Sequence, residues 1–171
     1  AAVDAGLTIV RERSPVDVRC EGGLGASDVS APPKGHGAPS DDRATHEAPL
    51  HDATVLTVED DAYMLGALGR TLQRLGARFL GARSPSEAMA LARADRWIDV
   101  AVVDLILGFE SGLSLAWELR RLRPGLPLLV ISGDLEAIEE AEAFGFTALP
   151  KPFGSDQFIA AIEAVMSRRA P

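Results

Sequence analysis

The feature that most constrains the fold is a regular alternation of short apolar runs with amphipathic stretches, which begins at Thr54 and continues to the end of the chain. The apolar runs have the length and β-branched content of buried strands, and the stretches between them have the spacing of apolar residues that is typical of helices. The predicted strands cover 54–58, 78–82, 98–103, 126–131 and 146–149, and the predicted helices cover 62–75, 85–94, 113–122, 134–144 and 155–169.

Strands that alternate with helices in this way form a parallel sheet with helices on both faces. The sequence therefore predicts an α/β fold: a doubly wound, flavodoxin-like (βα)5 sheet with strand order 2-1-3-4-5. Local signals support the helix ends. Ser84, Pro85 and Glu87 have the spacing of a capping box with proline at the first helical position, and Gly76 follows the first helix.

Residues 1–53 differ in composition from the rest of the chain, since glycine, proline and small polar residues dominate them. Such a segment cannot bury enough apolar surface to offset the entropy lost on ordering. We therefore expect a disordered tail or linker over 1–53, with a possible short strand or turn within 7–18, and one folded domain over 54–171.

Bulk properties exclude several classes of function. A net charge of −8 and a pI near 4.9 disfavour a nucleic-acid-binding surface. No apolar run is long enough to cross a membrane, and no signal peptide is visible, so we expect a soluble, cytoplasmic protein without a membrane partner. The single cysteine, Cys20, predicts neither an internal disulfide nor a zinc site.

Chemically active residues follow four of the predicted strands. Because the carboxyl ends of parallel strands meet at one edge, which is where α/β sheets bind ligands, we expect these residues to converge. Asp104 taken alone could be a turn cap or a reactive group. The set is Glu59, Asp60 and Asp61 after the first strand, Asp104 after the third, Ser132 after the fourth and Lys151 after the fifth.

Clustered carboxylates repel one another unless a cation lies between them, and oxygen ligands suit Mg²⁺. Phosphoryl transfer needs positioning and neutralisation of charge around the transferring group. A bound Mg²⁺, the Lys151 ammonium and the Ser132 hydroxyl could contact its three oxygens, with Asp104 as the nucleophile. Asp61 is instead expected to cap the first helix.

From Thr54 onward the chain resembles the receiver domain of bacterial response regulators. Four motifs in the right order carry the resemblance: Val58-Glu59-Asp60-Asp61, Val103-Asp104-Leu105 with Gly112, Ile131-Ser132-Gly133 and Lys151-Pro152-Phe153. The resemblance implies that Asp104 is the phosphoacceptor, that Glu59, Asp60, Asp104 and the backbone carbonyl of Ile106 bind Mg²⁺, and that Ser132 and Lys151 contact the phosphoryl group.

The chain departs from the family pattern at two positions. Gly108 stands where a proline is usual, and Ala148 stands three residues before the lysine, where the family has an aromatic ring that swings inward on phosphorylation. We therefore expect phosphorylation with a different output: a relay or phosphate sink, or movement of the fourth helix without a gating ring. Ile106 cannot orient a hydrolytic water, which predicts a long-lived acyl phosphate.

The resulting interpretation is a stand-alone receiver, since no output domain follows the last helix. It is not an enzyme beyond Mg²⁺-dependent self-phosphorylation and slow self-dephosphorylation. Its partners would be a histidine kinase or a histidine phosphotransfer protein and an output protein. The alternatives are the C-terminal receiver of a hybrid histidine kinase, a receiver-like interaction module that is not phosphorylated, and a flavin-binding protein of the same fold, which the acidic loop 59–61 disfavours.

Overall fold

The computed structural model describes residues 50–168, which contain seven strands and five helices. In chain order the elements are β1 Thr54–Val58, α1 Ala62–Arg74, β2 Arg78–Ala82, α2 Pro85–Ala94, β3 Val100–Asp104, β4 Ile106–Leu107, β5 Glu110–Ser111, α3 Gly112–Leu122, β6 Leu128–Ser132, α4 Leu135–Ala143, β7 Thr147–Pro150 and α5 Ser155–Ser167. No helix in this part of the chain is long and apolar enough to cross a membrane.

Five strands form one sheet in the order β2-β1-β3-β6-β7, and every neighbouring pair is parallel. When only the five strands of this sheet are counted along the chain, the order is the predicted 2-1-3-4-5. The predicted flavodoxin-like fold is therefore confirmed. The central strands β1, β3 and β6 are buried along their whole length. Their continuous apolar sequences follow from this, because a strand covered by helices on both faces has no side that meets water.

The helices pack in two layers, each over its own hydrophobic cluster. Helices α2, α3 and α4 cover one face through residues such as Met89, Leu119 and Ile138. Helices α1 and α5 cover the other face through residues such as Leu72 and Phe158. The apolar stripes predicted from the sequence are therefore the surfaces that attach the helices to the sheet.

Side chains cap four of the five helices, α1 to α4, and two of these caps are the predicted ones. Asp61 accepts a hydrogen bond from the Met64 backbone N–H at 2.8 Å at the start of α1. Ser84 accepts one from the Glu87 N–H at 3.2 Å at the start of α2, but the Glu87 carboxylate accepts from the Arg83 N–H rather than from that of Ser84. The capping box is therefore only half formed.

The structure adds an element that the sequence did not predict, a hairpin of β4 and β5 between β3 and α3. It also extends the folded unit backwards, because Leu50, at 1% exposed, packs in the α1 and α5 cluster. Residues 50–53 thus belong to the domain rather than to the linker. The predicted disorder of the N-terminal segment and its possible strand within 7–18 lie outside the described residues.

Candidate functional site

An ion-paired cluster occupies the carboxyl edge of the sheet. Glu59 follows β1 and is 2% exposed, while Asp104 ends β3 and is 5% exposed. The Lys151 ammonium, which follows β7, lies between them, with Nζ 2.7 Å from Glu59 Oε2 and 2.7 Å from Asp104 Oδ2. Two buried carboxylates with one partly buried cation leave one negative charge in excess, so the cluster can accept a further cation.

The environment shifts the pKa of two members of this cluster. Burial and the neighbouring Asp104 charge raise the pKa of the Glu59 carboxyl, although its hydrogen bond to Lys151 opposes this. Burial alone would lower the pKa of the Lys151 ammonium, but its hydrogen bonds to Asp104 and Glu59 outweigh burial and raise it. Lys151 therefore keeps its positive charge at neutral pH.

The backbone around the β4–β5 hairpin fixes the position of the Asp104 carboxylate. Its Oδ1 accepts a hydrogen bond from the Ile106 N–H at 3.0 Å. The hairpin turns back so closely that a Cβ on Gly112 would stand 1.8 Å from the Asp104 carbonyl oxygen. Only glycine fits at this approach, which gives a packing reason for the Gly112 that the sequence motif contained.

Three acids meet closely enough to share one ion. Carboxylate oxygens of Glu59, Asp60 and Asp104 all lie within 4.8 Å of one another. Asp60 is half-buried and stands at the rim, where a Cβ on Gly108 would be 3.8 Å from its Oδ2. Oxygen donors of this kind fit Mg²⁺, and the Ile106 backbone lies beside them through its bond to Asp104.

Ser132 ends β6 at the same edge and is fully buried. Its Oγ accepts a hydrogen bond from the Asp134 N–H at 3.1 Å, and its carbonyl oxygen accepts one from the Lys151 N–H at 2.7 Å. The backbone at the end of β7 is thus hydrogen-bonded to the end of β6, next to the ion-paired cluster. The structure therefore brings all six predicted strand-end residues to one edge, as the parallel topology required, with Asp61 there as the cap of α1.

Sequence reasoning missed Arg83, which follows β2. Its guanidinium donates to the Asp60 carbonyl oxygen from Nη2 at 2.9 Å and from Nε at 3.3 Å, which holds the acidic loop from outside. An exposed arginine outside any recognised motif gives no sequence signal. The contact follows only from the pairing of β2 with β1, which brings the residues after the two strands together.

Ala148 lies in β7, and its small side chain packs against the cluster beneath α4. Phe146, the aromatic residue just before β7, is buried and contacts Trp117 edge to face, with ring centroids 5.3 Å apart. Strand β7 therefore carries no aromatic ring.

Large apolar side chains are exposed around this edge. They follow three different strands and are Tyr63 at 90%, Ile106 at 48%, Phe109 at 110% and Leu135 at 66% exposed.

Comparison with known proteins identifies the class of protein. Residues 55–163 match the family model of the response regulator receiver domain. The chain is 31% identical over 124 residues to the DNA-binding transcriptional regulator NtrC of Azospirillum brasilense, which covers 70% of this chain and 25% of that protein. It is 33% identical over 120 residues to the probable transcriptional regulatory protein TcrX of Mycobacterium tuberculosis, which covers 67% of this chain and 50% of that protein.

Solved structures give the same result. A receiver protein from Sinorhizobium medicae superposes with a TM-score of 0.63 at 28% identity, covering 71% of this chain and 99% of that one. A Burkholderia pseudomallei response regulator gives a TM-score of 0.61 at 33% identity, covering 68% and 69% of the two chains. The chain belongs to the response regulator receiver family. It spans between a quarter and half of the length of the two curated regulators above.

Proposed function

We propose that this domain is a Mg²⁺-dependent phosphoacceptor in which the Asp104 carboxylate takes a phosphoryl group from a phosphohistidine. The observation that carries the proposal is the Lys151 ammonium held 2.7 Å from both Glu59 and Asp104 at the edge of the sheet where ligands bind. A nucleophilic carboxylate, a fixed cation and further acids for a metal are the groups that phosphoryl transfer requires.

The reaction follows from these positions. An Asp104 carboxylate oxygen attacks phosphorus, a new O–P bond forms, and the N–P bond of the phosphohistidine breaks with its electron pair returning to the imidazole. The Ile106 N–H orients the carboxylate through its Oδ1, so that little reorganisation precedes the attack. Lys151 then pairs with a phosphoryl oxygen, and the Ser132 hydroxyl contacts another after leaving the Asp134 N–H.

Glu59, Asp60, Asp104 and the Ile106 carbonyl would hold the Mg²⁺ ion, since the three carboxylates already lie within 4.8 Å of one another. When bound, the ion would neutralise part of the negative charge of the acids and of the phosphoryl group. A related structure supports this chemistry: the Burkholderia pseudomallei response regulator was solved with a phosphorylated aspartic acid and a calcium ion.

The phosphodonor would be a histidine kinase or a histidine phosphotransfer protein. The exposed apolar side chains of Tyr63, Phe109 and Leu135 lie in the segments that follow β1, β3 and β6 at this edge, and such a protein would dock on them. The output is by protein contact, with no nucleic acid or membrane partner. We place this domain in the cytoplasm and assign it no enzymatic activity beyond its own phosphorylation and slow dephosphorylation.

Ala148 favours an output without a gating ring: a phosphate sink or relay, or a direct movement of α4. Beryllofluoride imitates the phosphoryl group at such sites, so NMR shifts of α4 and β7 with and without it separate these possibilities. Large shifts in α4 support its movement, and unchanged shifts in both elements leave the relay.

The direct experiment is intact mass spectrometry after incubation with acetyl phosphate and Mg²⁺. We expect the mass of one phosphoryl group on the wild type and none on Asp104→Ala or on the wild type with excess chelator. Asp52→Asn is the matched control, because Asp52 is exposed near the opposite edge and its positive φ of 64° suits asparagine. Equal phosphorylation of Asp104→Ala and the wild type would refute the proposal, and so would an unmodified wild type.

A further inference from the structure

A second candidate site lies at the amino edge of the sheet, away from the acidic cluster. A cavity of about 420 Å³ opens there between the end of α3, the start of β6 and β7, and the end of α5. We call it the amino-edge cavity. Its walls include two arginines, Arg120 and Arg168, the hydroxyl-bearing Thr147, and an aliphatic wall of Leu126, Leu128 and Val165.

The two arginines, the guanidinium pair, set this cavity apart from the rest of an acidic protein. Among residues 50–168 neither guanidinium forms a salt bridge, whereas Arg78 at the same edge pairs with Asp95 at 2.5 Å. A planar guanidinium that borders a cavity and lacks a carboxylate partner is suited to bind a carboxylate or phosphate through two parallel hydrogen bonds.

Arg120 is held in place before any ligand arrives. Its guanidinium stacks on the Phe146 ring, 3.7 Å from the centroid, and lies 4.9 Å from the Trp117 centroid. It also donates to the carbonyl oxygens of Phe144 at 3.4 Å and Gly145 at 3.3 Å, which leaves other N–H donors available. Binding therefore costs little loss of side-chain freedom at this residue.

Arg168, the exposed residue just after α5, completes the pair. Its Nη1 donates to Thr147 Oγ1 at 3.1 Å, so the hydroxyl at the start of β7 holds the second guanidinium at the cavity wall. The space is open, since a Cβ added at Gly125 or Gly145 would meet no heavy atom within 4 Å. The volume is in the range of cavities that hold small molecules.

We propose that the amino-edge cavity binds a small organic anion, with its phosphate or carboxylate group on the guanidinium pair and its apolar part against the aliphatic wall. The site is separate from the phosphoacceptor and does not depend on it. The guanidinium groups favour an anion over a neutral molecule, and the aliphatic wall favours an anion with an apolar part over an inorganic ion.

Trp117 provides the readout because it touches both Phe146 and Arg120. The chain has two tryptophans, so Trp97→Phe leaves Trp117 as the only indole reporter. We would titrate this variant, without Mg²⁺ and carrying Asp104→Ala, with phenyl phosphate, with benzoate and with uncharged benzyl alcohol at constant ionic strength. A saturable change in Trp117 fluorescence is expected with at least one of the two anions and not with benzyl alcohol.

Arg168→Gln should weaken the binding about tenfold, the usual effect of losing one charged hydrogen-bonding group. Arg121→Gln is the matched control, since Arg121 is exposed on the same helix as Arg120 and does not line the cavity. Gly125→Phe should block the cavity without removing a charge. An equal response in Arg168→Gln and Arg121→Gln, or a response that does not saturate with either anion, would overturn the proposal.

Discussion

The two edges of the sheet handle charge in opposite ways. At the carboxyl edge, Glu59 and Asp104 are buried and share one ammonium, so the negative charge exceeds the positive. At the amino edge, Arg120 and Arg168 border a cavity and lack carboxylate partners among residues 50–168. The cluster at one edge has acids in excess and the cavity at the other is lined by cations without acids, although the same strands connect them.

The two edges differ in how much desolvation their charged groups cost the folded state. Burying two carboxylates beside one lysine costs several kcal/mol of desolvation, which such a small domain tolerates where the charges serve a ligand. Arg120 is only partly buried and Arg168 is exposed, so these two charges cost little desolvation. The carboxyl edge should therefore respond strongly to substitution, and the amino edge weakly.

The largest effect is expected from Lys151→Met, which removes the cation between two buried acids. Glu59 and Asp104 would then repel each other without compensation, and the free energy of unfolding should fall by about 3 kcal/mol. Chemical denaturation measures this loss, and Mg²⁺ should restore part of it by replacing the missing charge.

Adding Glu59→Gln to Lys151→Met tests the cause. If charge repulsion is responsible, the double variant should be more stable than Lys151→Met alone. A Lys151→Met protein as stable as the wild type would contradict the ion-paired cluster itself.

Gly112→Ala should have the next largest effect. The new Cβ cannot stand 1.8 Å from the Asp104 carbonyl, so the hairpin must move, at a cost of about 2 kcal/mol in stability. Phosphorylation by acetyl phosphate should slow as well, because the same backbone orients Asp104. Gly125→Ala is the matched control at the other edge, where a Cβ meets nothing within 4 Å. Equal melting temperatures for the two variants would count against the close approach.

Ile106→Asn should shorten the life of the acyl phosphate. Ile106 is 48% exposed beside Asp104, and an amide there can orient the attacking water where an aliphatic group cannot. We expect loss of phosphate to accelerate about tenfold, measured by intact mass over time. Phe109→Asn, at the exposed tip of the same hairpin, should decay at the wild-type rate. Phosphate loss from Ile106→Asn at the wild-type rate would contradict the claim that the aliphatic side chain at position 106 slows hydrolysis.

The smallest effect is expected at the amino edge, from Asp95→Asn. The pKa of Asp95 lies below its usual 3.8, because hydrogen bonds from Arg78 and the Trp97 backbone outweigh its desolvation. Its contribution of about 1 kcal/mol is therefore fully present above pH 3.8 and is lost as the pH falls through the lower folded value. The stability gap between the wild type and Asp95→Asn should be widest near neutrality and close in acid. A gap that widens in acid would contradict this sign.

Sequence periodicity predicted the main strands and helices, but complete burial did not sharpen the strand bounds, because the fully buried β3 and β6 both begin two residues later than predicted. The bounds of β1 and β2 agree with the structure, because apolar runs and turn residues delimit them on both sides. The β4–β5 hairpin was not predicted, since two-residue strands have no alternation to detect. Leu50 was assigned to the linker because its neighbours are polar, although it is buried in the core.

The members of the site were predictable because parallel strands bring their carboxyl ends together, but their pairing was not. Nothing in the sequence indicates that Lys151 contacts Glu59 as well as Asp104, or that the Arg83 guanidinium holds the Asp60 backbone. Such contacts depend on side-chain reach across neighbouring strands. The amino-edge cavity was invisible for the same reason, since Arg120 and Arg168 lie on helices far apart in the sequence.

The most direct test of the central claim is to locate the phosphoryl group. Borohydride reduces an aspartyl phosphate to homoserine, so treatment after acetyl phosphate and Mg²⁺, followed by peptide mass analysis, marks the residue that was modified. The account predicts homoserine at position 104, in a Mg²⁺-dependent amount, and nowhere else. Homoserine at Asp60 or Asp61 instead, or at no residue of a protein that has bound Mg²⁺, would contradict it.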